Sequence, residues 1–405
     1  MTTTNCRQWA RPLAQDYSVV FKCPEDHIRT DGPSLARLPS GTLMSTFVLV
    51  RRGVPLNGQT SPEMRVLCCT SGDGGTTWNQ VGALEGIDDG LLFIRDDTAY
   101  LLCGRPGRND ILISRSDDEG RTWADPVVLF EGRFWNTPTG CAVRNNTLYW
   151  SYGVSSPDGL FNRTESRLTV VAGDLSRDLM DPAAWRMAPF LTYPGTPEGL
   201  SCNLFPSPLP HAADHWLEPN VVNVNGRIRV FVRVRIDGQG TANICAICDV
   251  DDDGKTLDWR FTQFSAMPGA QCKFHIIPDE QTGYFWTPVN IPTQSQNAEH
   301  GAKMVAQGFL GTPGNERRFL MLQYSMDALN WFHAGCIAGW PSSVQGFQYA
   351  SIIIDGDDLL VTSRTSKDRE NQHDNDLVTF HRVADFRSLA LDLHQRDRQS
   401  DGSPG

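Results

Sequence analysis

The octapeptides Ser71-Gly72-Asp73-Gly74-Gly75-Thr76-Thr77-Trp78 and Ser116-Asp117-Asp118-Glu119-Gly120-Arg121-Thr122-Trp123 both read Ser-x-Asp-x-Gly-x-Thr-Trp. Each of these residue types has a place in a hairpin turn. The Asp carboxylate accepts from backbone N–H groups further along, Gly takes a positive φ, and Trp folds back over the strands. Two matches with the same key residues mark a structural unit used repeatedly, and a period of about 40–50 residues is that of a propeller or strand array. The turns are read as structural and carry no chemistry.

Between such turns run apolar strand-forming segments, among them Val66-Leu67-Cys68-Cys69, Leu101-Leu102-Cys103 and Ile228-Arg229-Val230-Phe231-Val232. No long helical pattern interrupts them, so the class is all-β. Repetition argues for one domain over 1–396, with the Ser/Gly-containing tail 397–405 disordered. Dividing the chain into four-stranded antiparallel blades, with the repeated turn joining third and fourth strands, places blades at Pro33–Leu84, Gly90–Phe130, Thr139–Thr192, Glu218–Phe264 and Lys273–Ala338. The stretch Tyr349–Val383 supplies only three more strands. A fourth is available at the other terminus, Tyr17-Ser18-Val19-Val20-Phe21, whose pairing there closes a six-bladed β-propeller and leaves no open edge. Seven blades is the alternative, and needs a further blade in the Pro-rich span Pro194–Pro219, which reads as a loop.

The net charge of −11, with 47 acidic against 36 basic residues, argues against a general nucleic-acid binder. No run of about 18 apolar residues is present to span a bilayer as a helix. Met1-Thr2-Thr3-Thr4-Asn5-Cys6-Arg7 lacks the apolar core of a secretory signal, which gives a cytoplasmic expectation. The 11 Cys residues mostly sit inside strand runs, as buried thiols do in a reducing compartment. Cys245-Ala246-Ile247-Cys248 has no second pair or nearby His, and Asp249–Gly254 lacks the bidentate Glu of a calcium loop. Neither a metal nor a cofactor is expected.

In a propeller the start of each innermost strand and the end of each second strand reach one face around the axis. The innermost starts are Asp31, Asn136, Glu218, Lys273 and Tyr349. The second-strand ends are Arg51 or Arg52, Arg105, Tyr152, Arg233, Asn290 and Arg364. Clustered cations repel unless something anionic satisfies them, and guanidinium binds a sugar carboxylate with paired N–H donors. A polar loop, Pro292–Lys303 with His300, is expected to lie over the pocket.

The repeated octapeptide resembles the Asp-box of the sialidase superfamily, with degenerate copies at Ser176-Arg177-Asp178 with Trp185, Asp252-Asp253-Gly254 with Trp259, and Ser325-Met326-Asp327 with Trp331. Glu218-Pro219-Asn220-Val221-Val222, leading on to Arg233, is similar to the family segment that carries the glutamate partner of the nucleophile and the second arginine of a carboxylate-binding triad. Tyr349-Ala350-Ser351, followed by Asp355-Gly356, is similar to the segment of the nucleophilic tyrosine. Arg317 or Arg318 stands where the third arginine is implied. The family's Arg-Ile-Pro is here Asp31-Gly32-Pro33, and no clear counterpart of its acid/base aspartate follows in Leu43–Arg52. Lys273-Phe274-His275 and the loop with His373-Asp374-Asn375 resemble those of sialidase-like bacterial propellers.

Three readings follow. The first is an exo-acting glycoside hydrolase on a terminal anionic sugar, a nonulosonate or a uronate. Here Tyr349 attacks with help from Glu218, Asp31 or His373 protonates the leaving oxygen, and Arg233, Arg318, Arg364, Arg105, Arg51, Lys273, His275, Asn290 and Tyr152 surround the substrate. The second is a polysaccharide lyase acting on a uronate by β-elimination, with Tyr349 or His275 as base. The third is a non-catalytic glycan-binding propeller.

Overall fold

The computed structural model describes residues 11–52, 64–107, 109–154, 166–197, 214–236, 243–293, 306, 316–342 and 344–391. The tail 397–405, most of the 292–303 loop with His300, and the middle of the Pro-rich span lie outside the described residues. Six antiparallel sheets follow one another along the chain. Blade 1 comprises Ile28–Arg37, Leu43–Arg51, Arg65–Ser71 and Asn79–Glu85, and blade 2 comprises Gly90–Arg95, Thr98–Gly104, Ile111–Ser116 and Val127–Phe130. Blade 3 is centred on Thr147–Val154 and Arg167–Asp174, with a broken innermost edge (Phe134–Trp135 and Ala142–Arg144) and a broken outer one (Trp185–Met187 and Leu191–Thr192). Blade 4 runs His215–Val224, Arg227–Arg235, Ile244–Asp252 and Leu257–Ala266, and blade 5 runs Ile277–Pro278, Phe285–Asn290, Phe319–Ser325 and Phe332–Gly339. Blade 6 takes Gly346–Asp355, Asp358–Ser366 and Leu377–Val383, and its outer strand is the amino-terminal Ser18–Lys22, which pairs with Leu377–Val383. The fold is thus a six-bladed propeller closed by the amino-terminal strand; the seven-bladed alternative is not realised among the described residues.

Period-2 patterning builds the ring. Along Ile244–Asp252, Cys245 and Ile247 face blade 5, while Ala246, Cys248 and Val250 face blade 3. Every blade therefore has two buried faces, and the apolar side chains gather into six clusters, one between each pair of neighbouring blades. The thiols of Cys68, Cys69, Cys103, Cys245 and Cys248 are free and buried in these layers, and Cys141 and Cys336, also free, are partly buried.

The repeated turns lock the layers together. In the first copy Ser71 Oγ accepts from Gly75 N at 2.8 Å, Asp73 accepts from Thr77 N at 2.9 Å, and Trp78 Nε1 donates to Gly75 O at 3.1 Å. The second copy repeats this geometry, with Gly120 N on Ser116 Oγ at 2.8 Å, Thr122 N on Asp118 at 2.8 Å and Trp123 Nε1 on Gly120 O at 3.2 Å. The motif glycine does more than turn the chain. A Cβ on Gly75 (φ 96°) would lie 2.2 Å from the Phe380 ring of blade 6, and one on Gly120 (φ 83°) 2.4 Å from Cys68 Sγ of blade 1. Each of these two turns thus seats against the previous blade through a missing side chain.

Gly120→Ala should lower stability by about 1–3 kcal/mol, through strain at positive φ and overpacking against Cys68 and Met44. Gly72→Ala, with nothing within 4 Å of its Cβ, should stay within about 0.5 kcal/mol of the parent when both variants are unfolded in urea.

Candidate active site

Three innermost strands carry a bulge at the same place. Pairing shifts between Asp31 and Ser34 in blade 1, between Leu217 and Pro219 in blade 4, and between Gln348 and Ser351 in blade 6. At these bulges Gly32 (φ 41°), Glu218 (φ 51°) and Tyr349 (φ 52°) adopt left-handed backbone. A glutamate and a tyrosine in that region are held there by their surroundings, and bulges re-aim side chains. Here they aim Glu218 and Tyr349 at each other: Tyr349 Oη donates to Glu218 Oε1 at 2.6 Å. Blades 4 and 6 are separated by blade 5, so this bond spans the inner end of blade 5.

Cations surround the pair. Arg233 Nη1 donates to the other oxygen of Glu218 at 2.6 Å, and its Nε donates to Gln271 O at 2.8 Å. The guanidiniums of Arg364 and Arg317 lie 4.7 and 5.2 Å from the centroid of the Tyr349 ring. Lys273 Nζ donates to Ala350 O at 2.9 Å. Asp31 accepts from Arg29 at 2.5 Å and from Arg364. Glu218, Arg233, Asp31, Arg29, Arg364, Arg317 and Lys273 are buried, whereas Tyr349 is partly exposed.

The protonation states follow from burial set against these charges. Burial pushes Glu218 up, but Arg233, the Tyr349 hydroxyl and Arg317 pull it down further, to a net value below the ordinary one. Burial and the Glu218 charge push the Tyr349 phenol up to about 12, so at rest it is neutral and donates. Burial also opposes ionisation of Asp31, yet Arg364 and Arg29 outweigh it and hold the carboxyl well below its usual range. Burial brings Lys273 down to about 7 against the attraction of Glu218 and Asp89.

Among the other residues singled out from the sequence, some lie at this cluster and some do not. The ring-facing member of the 317/318 pair is Arg317; Arg318 instead bonds Glu316 and Thr293. Arg105 pairs with Asp110 at 2.9 Å in an exposed turn. Arg51 is exposed, and Arg52 pairs with Asp374 and Glu370. The bulge register explains Arg51. Arg233 and Arg364 pair with the residue just before their bulges, and the equivalent residue in blade 1 is Val48. Tyr152 is buried between Trp150 and Phe134 in the blade 2–3 layer, its hydroxyl on Cys103 O. Asn290 straps blade 5 to blade 6 through Phe319 O and Phe347 O, and Asn136 is buried with its amide on Ser151 O. His275 accepts from Ile352 N, and burial drives its pKa well below the usual range, leaving it neutral. His373 sits 3.6 Å from Asp374, but its pKa falls to about 4 instead of rising, because desolvation and the charges of Arg364, Arg29 and Arg317 outweigh that carboxylate.

Two residues at the cluster escaped the sequence reading. Arg29 lies two positions before Asp31 on the same face of the strand, so alternation alone was a signal for it. Asp89 directly precedes the innermost strand of blade 2 and packs onto Gly32 of blade 1, where a Cβ would meet its Oδ1 at 2.4 Å.

No protein-family description and no curated protein matches the sequence. Solved structures do match in fold. An α-L-arabinanase of Penicillium chrysogenum, solved with arabinobiose, superposes with a TM-score of 0.59 at 16% identity over 94% of this chain and 100% of its own. A Trypanosoma rangeli sialidase solved with sialic acid gives 0.58 at 14% over 89% of this chain and 55% of its own, so this chain spans about half the length of that protein. A Dyadobacter fermentans protein of unknown function gives 0.58 at 12% over 91% and 97%. At these identities the likeness is one of fold, and it is the fold of propeller glycoside hydrolases.

Lys273 gives the site a signature in stability. Its folded value of about 7 lies below the ordinary 10.5, so between these limits the unfolded chain binds a proton that the folded one does not, and stability rises with pH across that window. In Lys273→Met, urea midpoints taken from pH 7 to 10 should lose this rise.

Proposed function

We propose that this protein is an exo-acting glycoside hydrolase that removes a terminal anionic sugar, a nonulosonate or a uronate, with Tyr349 as nucleophile and Glu218 as its base. The observation that carries the reading is the 2.6 Å bond from the hydroxyl of Tyr349, a partly exposed residue, to a buried, ionised Glu218 whose second oxygen is held by Arg233. A phenol so placed loses its proton to Glu218 as its oxygen attacks, which is what a weak nucleophile needs. The charge balance favours an acidic substrate. Arg29, Arg233 and Arg364 gather around two ionised carboxylates, Asp31 and Glu218, while Asp374 is matched by Arg52. A ligand carboxylate would offset the surplus through paired guanidinium donors.

In the first step Tyr349 Oη bonds the anomeric carbon, its proton passes to Glu218 Oε1, and the glycosidic oxygen leaves with a proton from a separate acid. In the second, water attacks the anomeric carbon and gives a proton to that acid, while Tyr349 leaves and recovers its proton from Glu218. Asp31 is ill suited as the acid because two arginines keep it ionised, and His373 is neutral at pH 7.

A panel of 4-nitrophenyl glycosides of N-acetylneuraminate, glucuronate, galacturonate and arabinose tests the reading. An acidic member should be hydrolysed, and Tyr349→Phe should cut its kcat by on the order of 10³-fold or more while binding by calorimetry persists. Turnover of the arabinoside alone, or an unsaturated uronate as product, would contradict it.

A further inference from the structure

Blades 1, 4 and 6 share the same bulge, but only two of them place a side chain there. Glu218 and Tyr349 occupy it in blades 4 and 6; blade 1 has Gly32. The space that a side chain at position 32 would fill is taken by the carboxyl of Asp89, whose Oδ1 and Cγ lie 2.4 and 2.7 Å from an ideal Cβ on Gly32, with Pro138 Cδ at 2.9 Å on another side. Asp89 thus places, from the neighbouring blade, a third side chain at the bulge ring.

Its chemistry differs from that of its neighbours. Asp31, one residue before Gly32, has two arginine partners, and Glu218 has Arg233 and Tyr349. Asp89 Oδ1 is buried and, among the described residues, has no hydrogen-bond partner, although the residue as a whole is partly exposed. The groups whose charges reach it are Asp31 and Asp88, which oppose its ionisation, and Arg364, Arg29 and Lys273, which favour it. Burial and the two carboxylates prevail, and its pKa is raised well above the usual value. Two carboxyls whose surroundings push them in opposite directions divide into an ionised and a protonated partner.

We propose that Asp89, seated over Gly32 in the gap left by the missing side chain, is the proton donor to the leaving oxygen and the base for the attacking water. This rests on the glycosidase reading above. In the first step the Asp89 O–H bond breaks, its proton goes to the glycosidic oxygen and the carboxylate remains. In the second, that carboxylate takes a proton from water as its oxygen bonds the anomeric carbon, and the acid is restored. Asp31 stays ionised between Arg29 and Arg364 throughout and so acts as a positioning residue.

Asp89→Asn keeps the shape of the protonated acid, so at pH 7 its melting temperature should match that of the parent. Difference infrared spectra, parent minus Asp89→Asn, should show the carbonyl stretch of a neutral carboxylic acid at pH 7. With glycosides of the preferred acidic sugar, the variant should lose about 10²–10⁴-fold in kcat when the leaving group is methanol and less than about tenfold when it is dinitrophenol. The alkaline limb of the kcat/KM profile should vanish with it. Parent turnover together with no neutral-acid band, or with equal losses on both leaving groups, would overturn the role of Asp89 and leave the hydrolase intact. A band with no turnover of any glycoside by the parent would remove the hydrolase, and the donor role with it.

Discussion

The hydrogen bond between Tyr349 and Glu218 depends on the whole ring. It joins blade 6 to blade 4 past the intervening blade 5, so its length is set by how the blades pack around the ring rather than by any local turn. Closure in turn depends on the amino-terminal strand pairing with Leu377–Val383. A buried carboxylate far from water is costly unless paired. Glu218 is paired on both oxygens only when blades 4 and 6 are in register, so the site and the ring stand or fall together.

Strain and electrostatics work on the same three positions. The bulges bring φ-positive residues to the centre, where left-handed backbone at Glu218 and Tyr349 is tolerated because both neighbouring layers are packed around it. In blade 1 the position is given to glycine, and the vacancy lets a carboxyl from the next blade approach the Asp31–Arg29–Arg364 network. The outcome is three acidic groups with divided fates: Glu218 is held ionised as the tyrosine's partner and Asp31 as a clamp on two arginines, while burial and the carboxylates of Asp31 and Asp88 push Asp89 up.

Much of this was legible in the chain because the signals were local. Turn residues at fixed offsets, period-2 apolar runs and a blade short of one strand define the six sheets and their closure. Glu218, Arg233 and Tyr349 were readable as side chains at homologous strand positions. What escaped depended on register or on a neighbouring blade. Whether Arg317 or Arg318 faces the tyrosine is decided by strand alternation from an irregular start. Arg51 was misplaced because the bulge at Gly32 shifts the pairing of blade 1, setting Val48 at the level of Arg233. His373 next to Asp374 suggested a raised imidazole pKa, but desolvation, joined by the charges of Arg364, Arg29 and Arg317, reverses the shift. Asp89 was invisible in one dimension, since its surroundings exist only where blade 2 meets the glycine of blade 1.

The coupling of Tyr349 to Glu218 is measured most directly by the ionisation of the phenol itself. With tyrosines labelled at the hydroxyl-bearing carbon, the Tyr349 resonance, assigned by its loss in Tyr349→Phe, should titrate near 12 in the parent protein. In Glu218→Gln it should move down by roughly a unit or more, as a buried negative charge is removed and Arg233 is left facing the ring. A Tyr349 resonance with the same midpoint in both proteins would mean that the two side chains do not meet.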